Sequence, residues 1–169
     1  MNARKIRGQA GFTLVELIVV ILILGILASL ALPKFINLGG DARYAKIQGV
    51  EGSMKSAMAI VHSAALVRGI TNQATGSSLT MDGGSTVTLA WNYPDGTATG
   101  LPVAAGFDPT TGGTNNTDGL NVTIAAGVIS VYPNNAQTPA SCTLTYTAAT
   151  AANTGPTVVL PATASNTTC

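Results

Sequence analysis

Residues 11–33 read GFTLVELIVVILILGILASLALP, and this stretch decides the fold. Residues 12–32 are almost unbroken in their hydrophobicity. As a helix they extend ~31 Å at 1.5 Å per residue, a match to a bilayer core. Residues 1–11, MNARKIRGQAG, carry Arg4, Lys5 and Arg7 and no acid. Such a basic flank is expected to stay cytoplasmic while the rest of the chain faces outward. Three readings compete: a cleaved signal peptide, for which Ser29-Leu30-Ala31 offers small residues at suitable positions; a plain signal anchor; and a leader cut before the apolar stretch rather than after it.

Two features favour the last. Glu16 sits inside the apolar run, where a lone carboxylate costs roughly 2.5–3.5 kcal/mol at mid-span and less near an end. Neither a signal peptide nor an anchor requires it. The helical pattern also continues past Pro33: Ile47, Val50, Met54, Ala57/Met58, Val61 and Ala65 recur at helical spacing, with Lys46, Glu51 and Lys55 off that stripe. The apolar and amphipathic segments read together as one long helix from Phe12 to about Ala65, ~80 Å in length. Pro33, preceded by Gly25 and followed by Gly39-Gly40, makes the stretch 25–40 its weakest part, a place for a kink or local melting.

The remainder of the chain is bland in charge. Of 169 residues 46% are hydrophobic and only 9% charged, well under the ~25% of an average soluble protein. All eight Lys and Arg lie between Arg4 and Arg68. From Gly69 onward the only formal side-chain charges are Asp82, Asp95, Asp108 and Asp118. A body without one Lys or Arg has nothing with which to track phosphates, so nucleic-acid binding is not expected of it. Cys142 and Cys169 read either as one disulfide, worth roughly 3–4 kcal/mol in the chain-entropy treatment, or as two buried thiols. The basic N-terminus argues for export and so for the disulfide.

Residues 69–77 are turn-rich and end the helix. Strand patterns follow: Leu79-Thr80-Met81 and Thr86–Trp91 as a hairpin around Asp82-Gly83-Gly84, then Leu120–Ala125 and Val128–Tyr132 as a second, with Cys142–Thr147 and Thr157–Leu160 as further strands. Residues 92–119 read as loop. One face of an antiparallel sheet is expected to cover the amphipathic stripe. No catalytic constellation emerges and no cofactor or metal is called for. His62, the sole histidine, reads as a surface or interface residue. Asp108 and Asp118 flank a loop that reads as a turn cluster in preference to a weak Ca²⁺ site. Trp91 and Tyr93 read as core or intersubunit contacts in preference to a carbohydrate-stacking surface.

Gly11-Phe12-Thr13-Leu14-Val15-Glu16-Leu17, after a short basic leader and before an apolar run containing Pro33, resembles the prepilin signature of type IV pilins. Residues 31–70 most resemble the mannose-sensitive haemagglutinin (MSHA) pilins. The resemblance is close over about the first 70 residues and architectural beyond. It implies an α+β pilin (ladle) fold: a leader (1–11) that is removed, a transmembrane and filament-core helix (12–33), the amphipathic half of the same helix (34–68), and an exported β-rich region (69–169) closed by a C-terminal disulfide loop. It further implies that a prepilin peptidase cuts between Gly11 and Phe12 and methylates Phe12. Glu16 of one subunit then pairs with the Phe12 amine of a neighbour, or with its own. Partners implied are other copies of the chain, an inner-membrane assembly platform with its ATPase, minor pilins and an outer-membrane secretin. The implied locations are the inner membrane before assembly and a filament on a Gram-negative cell surface afterwards. The role would be that of a major, non-enzymatic subunit serving attachment, biofilm formation or haemagglutination. A minor pilin or a type II secretion pseudopilin is the runner-up; a secreted sugar-binding adhesin with a conventional signal peptide is the alternative of another class.

Overall fold

The computed structural model describes residues 11–31, 38–107 and 119–169. It divides into two units, the first ending at Asn37 and the second running from Leu38 to Cys169. The first unit contributes helix α1, Leu14–Ala31, none of whose residues is buried. The second opens with helix α2, Leu38–Val67, 30 residues long, or ~45 Å. Pro33 lies outside the described residues, as does the junction of the two expected helix halves.

The inward face of α2 follows its sequence. Gly40, Ile47, Val50, Met54, Ala57, Val61 and Ala65 are its buried positions, which is the expected stripe plus one glycine. Off the stripe, Glu51 and Lys55 form an i,i+4 ion pair at 2.6 Å. The helix stops at Gly69, which takes φ 63. The amide of Ile70 then bonds back to the Ala65 carbonyl at 3.0 Å, so the last turn is closed without further helix.

Two antiparallel sheets cover the stripe, where the sequence pattern suggested one. The first has the order β1 (Ser77–Thr80), β2 (Thr86–Ala90) and β3 (Tyr93–Pro94); the second has the order β4 (Leu120–Ala125), β5 (Val128–Pro133), β6 (Leu144–Thr147) and β7 (Thr157–Val159). Val61 and Ala65 pack with Leu79, Val87 and Leu89 of the smaller sheet. Ile47, Val50, Met54 and Ala57 pack with Leu120, Val122, Ile129, Val131, Leu144 and Tyr146 of the larger. A single helical stripe therefore anchors both layers.

Several boundaries differ from the sequence pattern for local reasons. Strand β1 begins at Ser77 because its buried hydroxyl is satisfied by the Thr71 carbonyl at 3.1 Å; Met81 lies in the turn, its amide bonded to the Ser85 carbonyl. Trp91 does not extend β2 but forms a two-residue turn with Asn92. The stretch read as loop contains β3 and a short helix α3, Leu101–Ala105, with Pro102 near its start and Gly106 in left-handed conformation at its end. Strand β6 starts at Leu144, since Cys142 closes a 3₁₀ turn at Pro139–Ser141.

Two contacts tie the second unit together. Tyr146 of β6 is fully buried and donates its hydroxyl to the Pro94 carbonyl of β3, joining the sheets. The other contact is the C-terminal segment. Cys142 and Cys169 are disulfide-bonded with Cα atoms 5.2 Å apart. Arg43 Nε donates to the Cys169 carbonyl at 2.5 Å, and Asn166 Nδ2 donates to Asp41 Oδ1 at 2.6 Å. Segment 165–169 is thereby held on the first turns of α2. Gly40 makes this approach possible: a Cβ there would stand 1.9 Å from the Asn166 carbonyl oxygen. Its role in the second unit is close packing of the tail.

Burial, followed by the nearby negative charge of Asp95, pushes the Tyr146 hydroxyl well above its ordinary pKa of 10.0. A raised folded-state value means that this stability is fully present below about pH 10 and is lost as pH rises above it. Tyr146→Phe leaves the buried Pro94 carbonyl without its donor and is expected to cost about 1–3 kcal/mol at neutral pH. Denaturant titrations of both proteins from pH 8 upward check this: the wild type loses stability above pH 10 by a component that the variant lacks. Gly40→Ala is expected to lift segment 165–169 from α2, seen as faster amide exchange at Gln137 and Thr138, which bond to that segment. Unchanged exchange there contradicts the close-packing role.

Candidate functional site

The N-terminal segment offers the Gly11–Phe12 bond followed by an apolar surface with one carboxylate on it. Gly11, Phe12 and Thr13 precede α1 in non-helical conformation. Among the described residues Phe12 is 89% exposed and a Cβ on Gly11 would meet nothing within 4 Å, so none of them covers the backbone at the Gly11–Phe12 bond. Helix α1 is, among the described residues, the one helix long and apolar enough to cross a membrane. Gly25 has open space around it. Ser29, the polar side chain deep in the run, returns its hydroxyl to the Ile26 carbonyl at 2.7 Å and is satisfied within its own helix.

Glu16 is held by a reciprocal cap. The Thr13 amide and hydroxyl both donate to Glu16 Oε2 at 2.9 Å, and the Glu16 amide donates to Thr13 Oγ1 at 3.2 Å. This is a capping box, Thr13 as N-cap and Glu16 at the third helical position. It supplies a local reason for a carboxylate at this place: the first turn has orphan amides, the helix dipole favours a negative group there, and Thr13 supplies hydrogen bonds that bulk water would otherwise provide. The sequence pattern T-x-x-E signals it plainly, and reading Glu16 only as a charge in an apolar run overlooks Thr13. The bonds engage Oε2, which leaves Oε1 open among the described residues.

The remaining singled-out residues are dispersed. Asp108 and Asp118 lie outside the described residues. His62 is half-buried, not a free surface residue: its ring stacks on Tyr93 with centroids 4.0 Å apart and planes 1° from parallel, and Nδ1 lies 3.1 Å from the Asn92 carbonyl. Trp91 is half-exposed at a turn and is not part of the core.

The profile of the family described as the prokaryotic N-terminal methylation motif matches residues 6–32, a span that contains Gly11, Phe12, Glu16 and Gly25. The chain is similar to the type IV narrow pilus major component PilA5 of Thermus thermophilus, 35% identical over 89 residues, which is 53% of this chain and 74% of that protein. It is also similar to the type IV major fimbrial protein FimA of Dichelobacter nodosus, 38% identical over 50 residues, covering 30% and 32% of the two chains. A third relative is the fimbrial protein EcpC of Eikenella corrodens, 36% identical over 75 residues, covering 44% and 49%. No solved structure matches the chain.

Thr13→Ala removes the cap and is expected to destabilise the first turn of α1 by about 0.5–2 kcal/mol, whereas Thr13→Ser preserves it. Amide exchange of the full-length chain in micelles distinguishes them: faster exchange over Leu14–Ile18 in the alanine variant only. Equal rates in all three proteins contradict the capping role.

Proposed function

This chain belongs to the type IV pilin family, and from that premise we propose that it is the major structural subunit of an MSHA-like surface filament, polymerising through its N-terminal helix. The observation that carries the reading is α1 itself, eighteen residues with none buried. Apolar surface left in water costs ~25 cal/mol per Å². It is therefore covered either by lipid or by neighbouring helices, and a pilin uses the two in succession. The subunit waits in the inner membrane. A prepilin peptidase cuts after Gly11 and methylates the new Phe12 amine. An ATPase-driven platform then extracts the subunit, and the surface given up by lipid is reburied against other copies of the same helix.

Glu16 fits this sequence of events. Cleavage creates a positive amine four residues before it, and both charges need partners once water is excluded. The Thr13 cap holds one carboxylate oxygen, so the other remains for the Phe12 amine of the same or an adjacent subunit. The subunit's role is structural, in attachment, biofilm formation or haemagglutination on a Gram-negative surface, with minor pilins and a secretin as further partners. The Cys142–Cys169 disulfide supports a pilin over a type II secretion pseudopilin. A minor pilin is the remaining choice within the family, and a sugar-binding adhesin released by signal peptidase is the choice outside it.

N-terminal sequencing of the mature protein tests the premise of processing: methylated Phe12 is the expected first residue, and a start at Leu32 overturns the proposal in favour of the adhesin. Glu16→Val is expected to be cleaved and inserted normally yet to abolish filaments by electron microscopy. Normal piliation in that variant contradicts the pairing.

A further inference from the structure

The second unit contains a cleft of about 290 Å³ lined by His62, Asn72, Trp91, Asn92, Tyr93 and Asn153 among others. Its construction departs from local backbone preference. Five non-glycine residues among those described have positive φ, and three of them line this cleft: Trp91 at 53°, Asn92 at 66° and Asn153 at 64°. Asparagine tolerates that conformation; a bulky aromatic seldom adopts it. A two-residue turn of this kind ordinarily takes Asn-Gly or Asp-Gly. Here it takes Trp-Asn, and the tryptophan is only half-buried, so core packing does not explain it. Strained backbone of this kind clusters where a ligand is held.

The second observation is a buried polar atom. Asn92 is 6% exposed, and its Oδ1 has no hydrogen-bond partner among the described residues. Buried acceptors of that sort are rare and call for a reason. The surrounding frame is rigid. The Trp91 amide donates to the Gln73 carbonyl at 2.7 Å. The His62 ring stacks on Tyr93 and its Nδ1 carries the proton shared with the Asn92 carbonyl at 3.1 Å, since a carbonyl only accepts. The wall formed by His62, Trp91, Asn92 and Tyr93 is therefore held by contacts of its own, which lowers the entropy lost on binding.

The lining also defines the ligand class. Among the described residues no Asp, Glu, Lys or Arg lines the cleft, which favours a neutral ligand over an ionic one. Three carboxamides supply donors and acceptors side by side, the pattern that adjacent hydroxyls require. The indole supplies a flat apolar body for the C–H face of a ring. The volume is at the low end of small-molecule sites, which run to ~300–1,000 Å³, suited to a terminal sugar unit. We propose that this cleft binds a neutral saccharide, stacked on Trp91 and hydrogen-bonded by Asn72, Asn92 and Asn153. This goes beyond filament formation and does not depend on it.

Trp91 is the sole tryptophan of the chain, so its emission reports on this cleft alone. The full-length chain, kept unassembled in a phosphocholine detergent that bears no sugar, is titrated with methyl glycosides of neutral hexoses and N-acetylhexosamines. At least one is expected to change the emission saturably, with saturation-transfer NMR on the same samples detecting any complex that is silent in fluorescence. Asn92→Gly and Asn153→Gly retain residues able to hold positive φ while deleting the carboxamides; each is expected to weaken binding at least tenfold. Absence of binding by both methods for every neutral glycoside overturns the proposal. Affinity that both variants leave unchanged, or a response confined to anionic sialosides, overturns it equally. Because no filament is needed, failure here leaves the polymerisation reading standing, and failure of polymerisation leaves this one standing.

Discussion

One apolar stripe on one helix organises everything from Leu38 onward. Ile47, Val50, Met54, Ala57, Val61 and Ala65 run along most of a helix too long for a single small sheet to cover. Strands of two to six residues extend only ~7–20 Å. The chain meets that mismatch with two sheets side by side, the smaller on the later part of the stripe and the larger on the earlier part. The joint between them then needs its own fastening, and Tyr146 provides it by reaching from one sheet to a backbone carbonyl of the other. Without the stripe neither sheet has a second layer; the joint is reinforced by Ala104 of α3, which packs against both clusters, and by Gly96 lying against the Gly127 backbone.

The scarcity of charge shapes how polar groups are satisfied. Hydroxyls do work that salt bridges do elsewhere. Asp95 Oδ1 accepts from the Thr88 hydroxyl at 2.8 Å and from both the amide and hydroxyl of Thr97 at 3.0 and 2.5 Å. Thr13 treats the Glu16 carboxylate in the same manner. In each case a carboxylate is held by threonine and a backbone amide, an arrangement that adds no second charge to desolvate. A neutral, hydroxyl-rich surface also suits a subunit that packs closely against identical copies, where like charges would repel.

The features legible in the sequence were those with a long period or a strong chemical signal. The α2 stripe repeats over six positions and emerged intact. The apolar run, the Gly11–Phe12 junction and the two cysteines are each distinctive in residue type. The fold class followed, along with both larger hairpins. What the sequence concealed is short or depends on distant partners. A two-residue strand such as Tyr93–Pro94 has no periodicity to read. Helix α3 has only its Pro102 and Gly106 as punctuation, within a region otherwise rich in turn residues. The split into two sheets depends on which strands find each other. The left-handed turn at Trp91–Asn92 opposes local preference, so a rule-based reading extended the strand through it. The packing role of Gly40 depends on segment 165–169, more than a hundred residues away. The Thr13 cap is different: its T-x-x-E spacing is fully local and legible.

The tail contact has a mechanical side. Tension entering the second unit through Leu38 meets, within its first turns, Gly40 beneath Asn166, Asp41 bonded to Asn166 and Arg43 bonded to Cys169. Cys169 is covalently joined to Cys142, two residues ahead of strand β6. Force therefore divides at the point of entry, part continuing along the helix and part crossing through the tail and a sulfur bridge into the larger sheet. Pulling segment 165–169 away from α2 would therefore have to break the Asn166–Asp41 and Arg43–Cys169 bonds together, with the disulfide still joining the tail to Cys142.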